Sequence, residues 1–257
     1  FKIIVGIEYL YSELTNDKLI QVFLCAIGIG MAKTGLGGLG LLVVPIMAGV
    51  FGAKSSTGFL LIILILADIF GVAYYHRHAD IQKLIKLIPS TIVGILFGVL
   101  IGNYIDENQF RIVLVSIILL GVALSLYKSE KVSSLDLKSK FIPNLIGFLG
   151  GFSTMIGNAA GPVMTIYFLS IGFKKNKFIG TAAWFFLFVN VFKVPFHIIV
   201  WKTIDISIFF FGLSLLPFII FGAYAGFWIV QKIPEKPYRV FLITSIFLST
   251  LKLIVLV

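Results

Sequence analysis

Lysine, hydroxyl and amide side chains stand beside glycines at two places where long apolar runs are interrupted. Lys33 and Thr34 precede the first interruption, and Ser153, Thr154 and Asn158 precede or lie within the second. Ammonium, hydroxyl and amide groups all donate hydrogen bonds, and donors of this kind bind oxyanions. The sequence therefore predicts an oxyanion site assembled from two segments that are far apart in the chain.

The glycines at both interruptions let a ligand approach the backbone closely. After them the helices are expected to resume near Leu39 and Ala160, with Pro162 suited to a first helical turn. The N-terminus of a helix carries about half a positive charge and attracts anions. We predict that the following residues bind the substrate: Lys33, Thr34, Gly37, Gly38, Gly40, Ser153, Thr154, Asn158 and Gly161.

Each of these side chains has a structural alternative that the sequence leaves open. Lys33 can extend toward water at a helix end, and Ser153 and Thr154 can bond to carbonyls of their own helix. Asn158 can serve only to stabilise a left-handed turn at the break. The glycines can serve helix packing alone, but two clusters at corresponding positions favour a site.

A second polar group lies deeper in the apolar segments. Asp68 and Asn190 occupy near-equivalent places in the third and eighth segments, and Lys193 and His197 follow Asn190. An acid within a membrane span is costly and is a functional candidate. Asp68 is expected either to carry a proton or to neutralise Lys33 or Lys193. We assign Asp68, Asn190, Lys193 and His197 to the transport pathway or to its coupling.

The composition is that of an integral membrane protein. Of the 257 residues 59% are hydrophobic and 12% are charged, and the mean hydropathy is +1.08. Alternation is absent, which favours helices over a barrel. The net charge of +10 comes from Lys and Arg residues that lie mainly between apolar runs, so it indicates membrane topology rather than a nucleic-acid partner.

We predict no cofactor and no metal site, and we expect the single cysteine, Cys25, to pack in the interior.

Ten helical segments are expected in an all-α fold. The second and the seventh are too short to span a membrane alone, so each is expected to form a broken or hairpin-like unit with its predecessor. The predicted segments are Leu19 to Thr34, Leu39 to Phe51, Ser56 to Tyr75, Leu84 to Ile105, Phe110 to Tyr127, Ile142 to Ile156, Ala160 to Ile171, Phe178 to Trp201, Ile206 to Val230 and Tyr238 to Val257.

The two halves of the chain repeat one another. The motif Phe-Gly-x-x-x-Gly-x-x-Ile begins at Phe97 and again at Phe221, and each copy is followed by a Glu-x-x-aromatic-Arg turn. We predict an N-terminal repeat over 1–127, a basic cytoplasmic linker over 128–140 and a C-terminal repeat over 141–257. Five segments per half make the repeats inverted. Tight helix packing is the favoured role of the paired glycines in these motifs.

Loop charges suggest the orientation. The basic loops, including the linker, are placed inside and both termini outside, in agreement with the positive-inside rule. The acidic turn at Asp106 and Glu107 then lies outside, together with Lys54. His76 and His78 belong to a basic loop and are expected to be solvated.

Several of these features resemble the TauE/SafE family of sulfite exporters. They are the element TGLGGLG before Pro45, its echo GNAAGP in the second half, and the repeated FGxxxGxxI motif with its E-x-x-[FY]-R turn. The resemblance covers nearly all of the chain from about Lys18. It implies a protein that moves small sulfur-containing anions such as sulfite or sulfonates.

The resulting functional hypothesis is a secondary transporter, not an enzyme, that exports a small inorganic or organic sulfur oxyanion by alternating access between the two breaks. The membrane potential gives about 2.3 kcal/mol per charge per 100 mV, so no ATP motif is needed. We expect a multi-pass protein of the inner (plasma) membrane, in contact with the lipid bilayer and able to form a homodimer. The alternatives are a passive anion channel and an intramembrane serine hydrolase that uses Ser153 with His197.

Overall fold

A computed structural model describes residues 14–126 and 141–234, with Pro237, Tyr238, Val240 and Thr244. These residues form helices and connecting turns, with no strand among them. The predicted linker over 128–140 and nearly all of the predicted tenth segment lie outside the described residues. The ten α-helices of the described part are α1 Asn16–Lys33, α2 Gly38–Phe51, α3 Ala53–Tyr75, α4 Ile81–Tyr104, α5 Glu107–Leu126, α6 Phe141–Gly157, α7 Gly161–Ser170, α8 Lys175–Pro195, α9 Ile206–Ser214 and α10 Leu216–Lys232.

The first eight predicted segments are confirmed as helices close to their predicted positions. A π-helical turn, Phe196–Val200, extends α8. The prediction of one helix over Ile206 to Val230 is wrong, because α9 and α10 are separate helices bent by 46° at Leu215. Pro217 explains the break, since its ring lacks an N–H group and clashes with the carbonyl of the preceding turn.

Helix length distinguishes spanning helices from the short helices after each break. Within the described part of the chain, three helices are long and apolar enough to cross a membrane, namely Ala53–His78, Ile81–Tyr104 and Lys175–Val200, and the bent pair of α9 and α10 makes a fourth candidate. In contrast, α2 has 14 residues and α7 has 10, or about 20 and 15 Å of a core about 30 Å thick. Each of these short helices contacts the helix before it. The all-helical membrane fold is thus as predicted.

The most extensive helix contacts cross between the two halves of the chain. Helix α1 packs on α10, α6 packs on α4, and α3 packs on α8. The first segment of each half therefore packs on the fourth segment of the other, and the third segments pack on each other. This reciprocal exchange is what two related halves would make. The inversion of the halves across a membrane stays a prediction.

Glycines allow the closest of these approaches. A Cβ atom on Gly222 or Gly226 would overlap the backbone of α1, and one on Gly98 would overlap a side chain of α6. A Cβ atom on Gly102 would overlap the ring of Trp201. These contacts support the packing role predicted for both glycine pairs.

The basic segments at the start of α4, the start of α8 and the end of α10 meet at one end of the bundle. Lys177 at the start of α8 forms a 2.8 Å salt bridge with Asp80, which also caps α4 by accepting from the Lys83 N–H. The hydrogen bond from Lys177 lowers the pKa of the Asp80 carboxyl. Lys175 donates to the carbonyl of Val230 at the end of α10. Three of the loops predicted to face the cytoplasm, those before α4, before α8 and after α10, are thus neighbours.

Lys54 lies beside the acidic turn. Its ammonium donates to the carbonyl of Gly102 at 2.6 Å and lies 5.4 Å from the centre of the Trp201 ring. The Glu107 carboxylate accepts from the backbone N–H groups of Ala53 and Lys54. Lys54 and the turn at Glu107 therefore share one end of the bundle, as the predicted orientation requires.

The contact between α1 and α10 gives a testable prediction. In Gly222→Ala the new methyl group would press on the Ile27 carbonyl of α1, and overpacking of this kind costs about 1–3 kcal/mol. The matched control is Gly49→Ala in α2, where a Cβ atom meets nothing within 4 Å. Thermal unfolding of the purified protein should show a lower midpoint for Gly222→Ala and no loss for Gly49→Ala. Equal midpoints would contradict the close packing of α1 and α10.

Candidate functional site

Two breaks separate the paired helices, over residues 34–37 between α1 and α2 and over residues 158–160 between α6 and α7. Gly35 has a φ of 139° and Asn158 a φ of 53°. Asn is one of the few side chains that adopt the left-handed conformation readily. The left-handed turn anticipated at Asn158 is therefore present.

A cavity of about 100 Å³ lies between the two breaks. Its volume is several times what one buried water needs, so it has room for a small ion. Many of the predicted site residues meet at its wall. These are Lys33, Gly37, Gly38 and Gly40 from the first break, Thr154, Asn158 and Gly161 from the second, and Asn190 from α8.

Two helices begin at the cavity wall. Helix α2 begins at Gly38 and α7 at Gly161, with Pro162 in the first turn of α7 as predicted. The residues before these starts, Gly37 and Ala160, have no side chain that can cap a helix. Each helix start, with the partial positive charge expected of it, therefore lies beside the cavity. Gly161 leaves space in front of α7, since a Cβ atom there would meet nothing within 4 Å.

Lys33 joins the cavity to a buried acid. Its ammonium lies 2.8 Å from Asp68 Oδ1 and 4.2 Å from the centre of the Phe186 ring. The Asn190 amide donates to Asp68 Oδ2 at 2.7 Å. The Asp68 side chain is fully buried, whereas 12% of the Lys33 side chain is exposed. The sequence left Asp68 as a proton carrier or as the counter-ion of Lys33 or Lys193, and the contacts show it paired with Lys33.

Lys193 is a second buried cation, and it has neutral partners only. Its ammonium donates to the Thr154 carbonyl at 2.9 Å, the Thr154 hydroxyl at 3.1 Å and the Asn158 amide oxygen at 2.6 Å. It is fully buried and forms no salt bridge with any described residue. Three acceptors match the three N–H groups of an ammonium. Lys193 is therefore fully hydrogen-bonded, although no carboxylate contacts it.

Asn158 connects the second break to two long helices. Its amide oxygen accepts from Lys193 of α8, and its amide nitrogen donates to the Thr57 carbonyl of α3 at 3.1 Å. These bonds add to its role in the turn. Asn158 therefore positions the break as well as shaping it.

Four of the predicted residues besides Asp68 lie away from the cavity wall. Thr34 donates to the Gly30 carbonyl and Ser153 to the Gly150 carbonyl, each within its own helix. Lys193 lies behind Thr154 and Asn158. His197 pairs through Nδ1 with the Thr203 hydroxyl at 2.8 Å. A substrate role for Thr34 and Ser153, and a pathway or coupling role for Lys193 and His197, stay predictions.

The same contacts bear on the hydrolase alternative. Nucleophilic catalysis by serine needs a base within hydrogen-bonding distance. The Ser153 hydroxyl and the His197 ring each have another partner, and no hydrogen bond joins them among the described side chains.

Most of the other residues that line the cavity are apolar, but Thr165, Phe186 and Tyr238 are among those that sequence reasoning did not find. Thr165 lies four residues after Gly161, and Phe186 four residues before Asn190, so helical spacing carried a signal for both. Tyr238 is the aromatic residue of the second Glu-x-x-aromatic-Arg turn, but nothing in that motif indicates a contact with the first break. Its hydroxyl donates to the Gly35 carbonyl at 2.7 Å across a separation of 203 residues.

The comparison with known families finds one match. A family model described as "Sulfite exporter TauE/SafE" matches residues 22–253. This range contains both breaks, the cavity and every candidate residue. No curated protein and no solved structure gives a significant match.

The two roles of Asn158 can be separated by substitution. In Asn158→Gly the left-handed turn is retained, but both side-chain bonds are lost and one N–H of Lys193 has no acceptor. An unsatisfied buried donor costs about 1–3 kcal/mol, and more when it is charged. We expect a lower thermal unfolding midpoint for the purified variant.

The control for this substitution is Lys202→Gly. Lys202 has the same φ of 53°, is exposed, and forms no side-chain bond among the described residues. A glycine there should change stability by less than about 1 kcal/mol. Equally small changes in the unfolding midpoint at both positions would show that Asn158 serves only to form the turn.

Proposed function

The chain belongs to the TauE/SafE family of sulfite exporters, and we propose that it is a secondary transporter that exports sulfite or a related small sulfur oxyanion. The substrate binds in the cavity between the two helix breaks. The family establishes a membrane protein that transports anions. The choice of substrate, the site and the transport mechanism are the proposal.

The observation that carries the proposal is the charge around the cavity. The fully buried Lys193 and the partly exposed Lys33 stand against one buried aspartate, Asp68, so the cluster has one net positive charge when all three groups are ionised. A buried charge without a counter-ion is costly. An anion in the cavity supplies the missing negative charge. A cation in the cavity would add to the excess of positive charge.

Donors at the cavity wall suit an oxyanion. The Lys33 ammonium lies at the wall and is partly exposed. The Thr154 hydroxyl oxygen accepts from Lys193, which leaves its hydrogen for an acceptor in the cavity. The Asn158 amide gives one N–H to Thr57 and has a second one left. Together with the starts of α2 and α7 they give one part of an otherwise largely apolar wall a set of donors and partial positive charge.

The position of the breaks suits alternating access. Transporters built from repeats place the substrate near the bilayer midplane, between discontinuous helices of the two halves. In this protein each break lies between a long helix and a short one, and positive φ angles at Gly35 and Asn158 form the turns. In the proposed cycle α1–α2 moves relative to α6–α7, which stays bonded to α3 and α8, and the cavity is exposed to each side in turn.

The surroundings of the helices support a bilayer location. Large apolar side chains are exposed on the outside of the bundle, including Leu100, Ile199, Phe221 and Tyr224. We propose a multi-pass protein of the inner (plasma) membrane whose lipid-facing helices also permit a homodimer.

Flux in sealed liposomes tests the function. The purified protein is reconstituted, a membrane potential is imposed, and the fluxes of sulfite, sulfate, thiosulfate and ethanesulfonate are compared. A carrier should show saturable flux with selectivity for one or more sulfur oxyanions. Flux that does not saturate would favour a passive channel, and no flux from folded protein would contradict the proposal.

Lys33→Ala tests the site itself. Removing a charged donor from an anion costs about 1.5–3 kcal/mol, which corresponds to a roughly ten- to hundredfold weaker interaction. We expect sulfite flux at low concentration to fall by at least this factor, and thermal unfolding is measured alongside because Asp68 loses its ion-pair partner. The control is Lys177→Ala, which removes a half-exposed ammonium outside the cavity. Unchanged sulfite flux in Lys33→Ala would show that Lys33 is not part of the binding site.

A further inference from the structure

Asp68 is placed to respond to an anion that it does not touch. It lies behind the cavity wall, fully buried, and both of its partners, Lys33 and Asn190, belong to that wall. An oxyanion in the cavity competes with Asp68 for the Lys33 ammonium. Whatever binds in front of the wall therefore changes the surroundings of the carboxylate behind it.

The charge of the cluster limits what it can accept. With one net positive charge, the site balances one negative charge. A singly charged oxyanion brings it to neutrality. A doubly charged oxyanion, such as sulfite at mildly alkaline pH, leaves one negative charge in excess within a buried region. Such an excess is relieved when a carboxylate takes up a proton.

Asn190 can serve both forms of the acid. Its amide N–H donates to the ionised carboxylate, while its amide oxygen is buried and has no hydrogen-bond partner among the described residues. After rotation of the amide, that oxygen can accept the hydrogen of a protonated carboxyl. The protonated Asp68 carboxyl therefore also has a hydrogen-bond partner, the amide oxygen of Asn190.

The other titratable side chains beside Asp68 and Lys33 are Lys193 of α8 and His197 of the π-helical turn that extends α8. Lys33 faces Asp68 from α1, and Lys193 acts on it from α8 by its charge without a salt bridge. The other described elements packed against α3 bring no charged side chain into contact with Asp68. Asp68 is the one acid among the described residues of the cluster.

We propose that Asp68 takes up one proton when the site binds a doubly charged oxyanion, so that each such anion crosses with one proton and one net negative charge. The proton comes from water that enters the cavity, and Lys33 shifts from Asp68 to the anion. This inference rests on the proposed function and adds the proton as a second substrate.

Calorimetric titration of the full-length protein with sulfite tests the inference. The titration is done at mildly alkaline pH in two buffers that differ in ionisation enthalpy, because the difference in heat gives the number of protons bound. We expect one proton per sulfite for the wild type and none for Asp68→Asn, in which the amide replaces the neutral acid. The control Asp80→Asn, which alters a carboxylate outside the cluster, should still take up one proton.

The other outcomes contradict different claims. Sulfite that binds to the wild type without a proton overturns the inference and leaves the transport function standing. A proton still taken up by Asp68→Asn overturns it as well, because the proton then resides elsewhere. No binding of sulfite to the wild type contradicts the proposed function itself.

A second measurement needs no variant, so it applies even if Asp68→Asn does not fold. Infrared difference spectra of the wild type, with and without sulfite, should show a new carboxylic-acid band. Labelling with carbon-13 in the aspartate carboxyl should shift that band. Absence of a shifting band would overturn the assignment to Asp68.

Discussion

The burial of the Lys193 ammonium is the constraint on which the centre of the structure depends. A cation removed from water must have every N–H group bonded, and the Lys193 ammonium of α8 meets its acceptors where α6 ends. Thr154 and Asn158 supply all three of them. Asn158 in turn bonds to α3 through Thr57. One charge thus aligns the second break, the third helix and the eighth helix around a common point.

The unwound backbone at the breaks obeys the same requirement. In a bilayer, non-helical peptide groups need partners inside the protein. The Tyr238 hydroxyl bonds to the Gly35 carbonyl at the first break, and the Ala159 N–H bonds to the Ser153 carbonyl at the second. Thr34 bonds back to the Gly30 carbonyl of α1. The breaks are therefore held in defined conformations, which a binding site needs.

Local pattern predicted the helices and much of the cavity wall, because apolar runs and glycine clusters are properties of neighbouring residues. It failed at Leu215, where Pro217 interrupts a run that hydropathy alone reads as continuous. It also left the partner of Asp68 open between Lys33 and Lys193, since only the packing of α1 on α3 decides it. The contact of Tyr238 with Gly35 is similarly non-local. Spacing within one helix would have found Thr165 and Phe186.

The exchange of helices between the halves has a consequence for biosynthesis. Helix α1 is made first among the described helices, yet its main partner, α10, is made last of them. The glycine-lined face of α1 must therefore be covered by lipid or by a chaperone until α10 has been synthesised. A chain that stops after the first half lacks the surfaces that cover α1 and α3. Assembly of this protein is accordingly a late event, and a truncated product exposes the same helices that the complete chain conceals.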